Sequence, residues 1–230
     1  CECAAGAFAD PSLMLWVHDS RVVDEELNPF PDKRFHTGLA KRAARVDPFH
    51  PLHGSHSVFR AELLRYLPPD GRPASVYGSH PAEHDEWIKF AALVLGRATR
   101  ERRELMLYRR HRGALTREAP LPGRAEVLRG LDERRHHYAI RAARERCAYL
   151  RGRVEAPECA AVRPQLEAAA DRYEQLVPRL SRRVRTRQAA RGLSRGRYLL
   201  AGICHGDYRP VDRGGLGLWA LVQDLYAALE

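Results

Sequence analysis

Residues 83–111 read EHDEWIKFAALVLGRATRERRELMLYRRH. In this stretch Trp87, Ile88, Ala91, Ala92 and Leu95 recur at near-helical spacing behind the acidic pair Asp85 and Glu86, and Gly96 stops the pattern. A helix is therefore expected over 83–95. Leu105 to Arg109, dominated by long apolar side chains, reads as a strand. Working outward, Leu13 to Val17 is a short apolar run ended by His18-Asp19-Ser20, which reads as a buried strand emptying into a polar loop. Ser55 to Phe59 reads as a second strand, and Arg60 to Tyr66 as a brief helix stopped by the turn chemistry of Pro68-Pro69-Asp70-Gly71. Strands interleaved with helices predict an α/β class. Residues 28–51 carry Pro29, Pro31, Pro48 and Pro51 around a helical patch near Gly38 to Arg45, a composition expected of a surface connection.

Beyond Pro120-Leu121-Pro122-Gly123 the pattern changes to long helices. Val162, Leu166, Ala169, Tyr173, Leu176 and Leu180 step by three or four, an apolar seam, and Val127, Leu131, Tyr138, Ala142 and Tyr149 make a looser one before it. Pro157 lies between them, so an antiparallel helical hairpin is expected. A glycine-rich turn at Gly214, Gly215 and Gly217 leads into a closing apolar helix, without the lysine of a phosphate loop. Three segments result: 1–117, α/β; 118–190, an arginine-rich hairpin; 191–230, a tail with a terminal helix.

The 230 residues are 44% hydrophobic, enough for a sizeable core, and no run of eighteen apolar residues occurs. Cys1, Cys3, Cys147, Cys159 and Cys204 form an odd set without a CxxC pair, which argues against a disulfide framework or a four-cysteine zinc site and makes a reducing cytoplasm the expected compartment. The net charge is +10, and residues 124–197 hold 19 arginines against 9 acidic residues. These arginines, Arg182 and Arg183 among them, are expected mostly on the outer faces of the hairpin. A solvated basic face is one reading, and attraction to anionic membrane headgroups, as a peripheral contact at the inner face of the plasma membrane, is another. Nucleic acid is not an expected partner, because no recognisable module interleaves aromatics with the cations.

Histidines cluster in the first half: His50, His53 and His56 recur every three residues, and His80 and His84 lie four apart beside Asp85. Two imidazoles at i and i+4 can grip one zinc ion, which keeps a metal-dependent hydrolase open as a reading. Pro51, Gly54 and Pro81 interrupt both clusters, and histidines hydrogen-bonded to backbone are the plainer account.

Four motifs follow in order: the strand ending in His18-Asp19-Ser20; Gly54-Ser55-His56-Ser57-Val58-Phe59-Arg60 before a short helix; His84-Asp85-Glu86-Trp87-Ile88 at a helix start; and Tyr108-Arg109-Arg110-His111 at a strand end. Their succession resembles the C-terminal part of the catalytic domain of family 2 glycosyltransferases, the GT-A type enzymes that transfer a sugar from a nucleotide-sugar donor to an acceptor hydroxyl. Gly206-Asp207-Tyr208 and the segment from Leu221 to Leu225 are similar to the tails of bacterial members with a helical extension.

The resemblance implies a partial GT-A mixed sheet and an inverting transfer with Asp85 as general base. It assigns His111 to a divalent metal, Mg or Mn in the full-length enzyme, and implies a sugar or small-molecule acceptor of the kind met in polysaccharide biosynthesis. Arg60, Glu86 and Trp87 are the expected substrate contacts, with Trp87 either a wall for a sugar ring or a core side chain and a surface ion pair the plainer reading of Arg60. Family members begin with a nucleotide-binding block ending in an Asp-x-Asp-type motif, and neither Asp10 nor Asp19 can stand in for it by spacing. The chain is accordingly expected to be a truncated product lacking the donor half. The alternative from another class is a non-catalytic basic helical module that binds partners or anionic surfaces.

Overall fold

The computed structural model describes residues 2–35, 56–109, 133–189, 193–209 and 215–229. The fold is mixed α/β, organised on one long strand. After a short helix α1 (Glu2–Ala7), β1 (Leu13–Val23) forms the centre of the sheet. On one edge it pairs antiparallel with β2 (Pro29–Phe35) along its second half and with β3 (Ser57–Phe59) along Leu15 to Val17. On the other edge it pairs in parallel with β4 (Arg97–Arg109). The crossover between these parallel strands carries α2 (Leu63–Tyr66) and α3 (His84–Leu95).

The polar triplet His18-Asp19-Ser20 does not end β1, as the sequence suggested; the strand continues through the buried Val22 and Val23. Asp19 is tolerated inside the sheet because Arg100 on β4 donates to both carboxylate oxygens, Nη2 lying 2.6 Å from each. Arg21 and Glu104 repeat the pairing one step on, at 2.8 Å. β4 is also longer than expected, since its charged first half alternates half-buried and exposed positions, a pattern an outer strand accepts. Pro29 and Pro31, read as part of a connection, lie in β2, and proline is compatible with such an edge strand because it need not donate to a ladder. The helical patch expected near Gly38 to Arg45 lies outside the described residues.

The hairpin consists of α4 (Glu133–Val154) and α5 (Arg163–Gln188), joined through a 3-10 turn at Pro157–Val162. The seam holds: Leu166, Ala169, Tyr173, Leu176 and Leu180 are buried, with Val162 packed beside them. Of the looser seam, Ala142 is buried and Tyr149 packs on the core, while Val127 and Leu131 lie outside the described residues. One apolar cluster runs from Leu15 and Val17 of β1 through Leu63 of α2 and Trp87, Phe90 and Ala91 of α3 to Ala143, Leu150, Leu166 and Leu180 of the hairpin. Sheet and hairpin thus share a core. Leu13 and Trp16 form a second, smaller cluster with Ala4 of α1.

The tail contributes α6 (Leu193–Cys204) and α7 (Gly217–Leu229). Gly215 is needed for packing, because a Cβ there would lie 2.0 Å from the Arg209 carbonyl oxygen. Gly217, at φ +81, adopts a left-handed conformation that suits glycine. The expectation of outward arginines fails at the end of α5. Arg183 is buried against Asp224 at 2.9 Å, and Arg182 is paired with Asp207. Among the described residues no helix is long and apolar enough to cross a membrane.

Candidate functional site at the start of the crossover helix

The backbone dictates where chemistry can gather. Strand β4 begins at Arg97, whose N–H donates to Ser12 O at 2.8 Å beside the start of β1. Gly96 makes that junction possible: a Cβ there would lie 2.4 Å from Ser12 O. The end of α3 is thereby fixed at the N-terminal edge of the parallel pair, and its first turn, at His84 to Glu86, is the remote end of that helix.

Asp85 occupies this first turn. Its carboxylate is half-buried, and Oδ1 accepts the Glu86 N–H at 2.7 Å. The free N–H groups of a helix start favour a negative charge here. Among the described residues no cation pairs with Asp85, so its second oxygen is open to an incoming donor. His80 and His84 are both exposed, and His80 Nδ1 lies 2.9 Å from Pro81 O.

The next two residues behave differently from the expectation. Glu86 is buried and fully engaged: Ser75 Oγ donates to Oε2 at 2.7 Å, Val76 N–H to Oε1 at 3.1 Å, and Arg146 forms a short ion pair with Oε1. Trp87 is 1% exposed and packs on Phe90 and Tyr149 with ring centroids 5.0 and 5.2 Å away. Neither can meet a substrate in this arrangement. Arg60, the third expected contact, is also occupied in the scaffold. Its guanidinium donates to the carbonyls of Leu13, Phe8 and Asp10 at 2.8, 2.7 and 3.0 Å and lies over the Phe8 ring.

What the sequence reading missed is the loop bound to Glu86 and the hairpin side chains that hold it. Residues 73–82 fold back on themselves, with Ser75 N–H donating to His80 O and Ala82 N–H to Pro73 O. The loop is clamped from α4: Glu145 accepts the Ala74 N–H at 2.6 Å, Arg141 donates to Gly78 O, and Arg146 reaches Glu86. Tyr77, at the loop's turn, is exposed. A signal for Arg146 exists in the sequence: Ala139, Ala142, Ala143, Arg146 and Leu150 follow one another at helical steps, so the arginine falls within a buried stripe of small residues.

His56 is buried on the other face of the sheet, in a chain of ring contacts with His18 at 5.7 Å and Tyr108 at 5.8 Å. His50, His53 and the expected metal ligand His111 lie outside the described residues. Among the described residues no group of three or more His, Cys, Asp or Glu side chains could hold a metal ion. No family model matches the chain, and comparison with curated proteins and with solved structures found no match either.

Proposed function

We propose that the chain is the acceptor-side part of a family 2, GT-A type glycosyltransferase and that Asp85 is its general base. The observation that carries this reading is the contrast between two adjacent carboxylates in the first turn of the crossover helix. Glu86 is locked into the scaffold, whereas Asp85 is oriented by one backbone N–H and keeps an oxygen available. In the reaction, an acceptor hydroxyl gives its proton to Asp85 as its oxygen attacks the anomeric carbon of the donor. The bond from that carbon to the diphosphate oxygen breaks on the opposite face, which inverts the configuration, and the nucleoside diphosphate leaves with the electron pair. Asp85 then releases the proton to water. A divalent metal would neutralise the departing diphosphate. Its expected ligand His111 lies outside the described residues, and among the described residues no group of three or more His, Cys, Asp or Glu side chains could hold it.

The test uses the protein together with whatever coding sequence precedes Cys1, assayed with a panel of nucleotide-sugar donors and acceptors. Asp85→Asn is expected to lower transfer by about 10²–10⁴-fold, with an unchanged melting temperature. Transfer by Asp85→Asn at the native rate would remove the assignment. An upstream segment with no strand-helix-strand block and no transfer activity would favour the non-catalytic module instead.

A further inference from the structure

Helix α7 is turned with its one acidic side chain inward and its apolar residues outward. Asp224 is completely buried, accepting from Arg183 and Arg187 of α5 and from the Tyr208 hydroxyl at 3.0 Å. Ala220 is buried on the same side. Leu218, Trp219 and Leu225 are 71%, 54% and 42% exposed, and Leu221 and Val222 lie half-buried between them. Positions 218, 222 and 225 form one stripe at helical steps. An apolar stripe of this kind on a thirteen-residue helix is too short to span a bilayer but suited to lying along an interface.

The surroundings of the stripe are cationic. The exposed Arg209 stands at its N-terminal end, where its carbonyl accepts the Gly217 N–H at 3.0 Å. At the other end Arg195 of α6 donates to Ala227 O, and Arg197, two residues further along α6, is exposed. Residues 181–230 hold nine arginines against four acidic residues, Asp207, Asp212, Asp224 and Glu230. Asp207 and Asp224 are buried in ion pairs with Arg182, Arg183 and Arg187, and the remaining six arginines of this segment stand against two acidic residues. A second copy of this +10 chain would bring like charges together, whereas an anionic bilayer brings opposite ones.

We propose that α7 docks the protein on an anionic lipid surface, with Leu218, Trp219 and Leu225 entering the headgroup layer and the flanking arginines over the phosphates. Lipid contact through the outer arginines of the hairpin was one reading of the sequence; the present proposal puts it at the tail, with apolar insertion as its second component. This inference stands independently of the transfer chemistry.

Trp16 and Trp87 are 3% and 1% exposed, so a change in tryptophan emission on docking reports Trp219. The whole chain is mixed with vesicles of phosphatidylcholine alone or with phosphatidylglycerol added, and binding is read by co-sedimentation and emission. Expected are a blue shift and co-sedimentation with the phosphatidylglycerol vesicles, weakening as salt rises. Leu218→Ser and Leu225→Ser should each lower partitioning by about tenfold while leaving the melting temperature unchanged, since both side chains are exposed. The proposal would be overturned by no binding to phosphatidylglycerol vesicles, by equal binding to both vesicle types, or by a micromolar dimer that Leu218→Ser dissolves. A stripe variant that binds as tightly as the native chain would do the same.

Discussion

Arg146 of the hairpin and Glu86 of the crossover helix form an ion pair inside the shared core, with the guanidinium over the rings of Phe90 and Tyr173 at 5.1 and 5.8 Å. Glu86 also receives Ser75 and Val76, so one buried carboxylate joins the hairpin, the crossover helix and the loop beside Asp85. Removing either partner leaves a charge in apolar surroundings. Glu86→Gln and Arg146→Met should each cost about 3–5 kcal/mol in a denaturant titration, and the double variant should recover part of that loss. Single variants as stable as the native chain would contradict the pairing.

Leu166 is completely buried in the seam between α5 and α4. Leu166→Ala should destabilise by about 2–5 kcal/mol, the cavity included. A shift within about 0.5 kcal/mol would mean that the seam faces solvent.

Arginines of α5 should divide by face. Arg185 is exposed, and Arg185→Gln is expected to stay within about 0.5 kcal/mol of the native chain. Arg183→Gln removes a charged donor from the buried Asp224 and should cost about 1–3 kcal/mol. Equal melting temperatures for the two variants would argue against the buried pair.

The seam, the crossover helix and the apolar start of β1 were legible because their apolar spacing reports burial directly. Arg146 was not singled out and Arg183 was read as outward, for one physical reason. Each continues an apolar stripe, Arg183 three residues beyond Leu180, but an arginine is buried only when a distant acid neutralises it. Glu86 lies 60 positions from Arg146, and Asp224 lies 41 from Arg183. The same reason hid the length of β1, whose Asp19 is acceptable in a strand only once Arg100 stands beside it. At the candidate site Asp85 was readable from its helix-start context. Burial of Glu86 was less so, because the groups that satisfy it come from Ser75, Val76 and the distant Arg146.

Gly96 marks the closest backbone approach in the crossover. Its φ of −174 is open to any residue, so the constraint is space alone. Gly96→Ala would press a methyl group against Ser12 O and Met14 Cγ and should destabilise by about 1–3 kcal/mol in thermal melts. An unchanged melting temperature would show that the junction has room to move.

Alkaline pH should loosen the junction between the hairpin and α2. Burial pushes the Tyr149 hydroxyl up to about 12 from 10, and it donates to Pro68 O at 3.1 Å. The unfolded chain releases this proton first, so the contribution is complete below pH 10 and is lost as pH rises toward 12. Burial and the nearby Asp224 raise Tyr208 as well. Melting temperatures taken across pH 9 to 12 should fall less steeply for Tyr149→Phe than for the native chain, and parallel curves would exclude this contribution.

The parallel pairing of β1 with β4 has a kinetic consequence. Its contacts join residues as far apart as Asp19 and Arg100, 81 positions along the chain, whereas the hairpin joins Arg151 to Asp171 across only 20. Closing the shorter loop costs less entropy, so the hairpin forms more cheaply than the parallel strand pair. Its buried face, completed by Arg146, then offers α3 a surface to condense on before the two strands meet. The parallel pair is in this sense assembled against a scaffold encoded downstream of it, since both hairpin helices follow β4 in the chain.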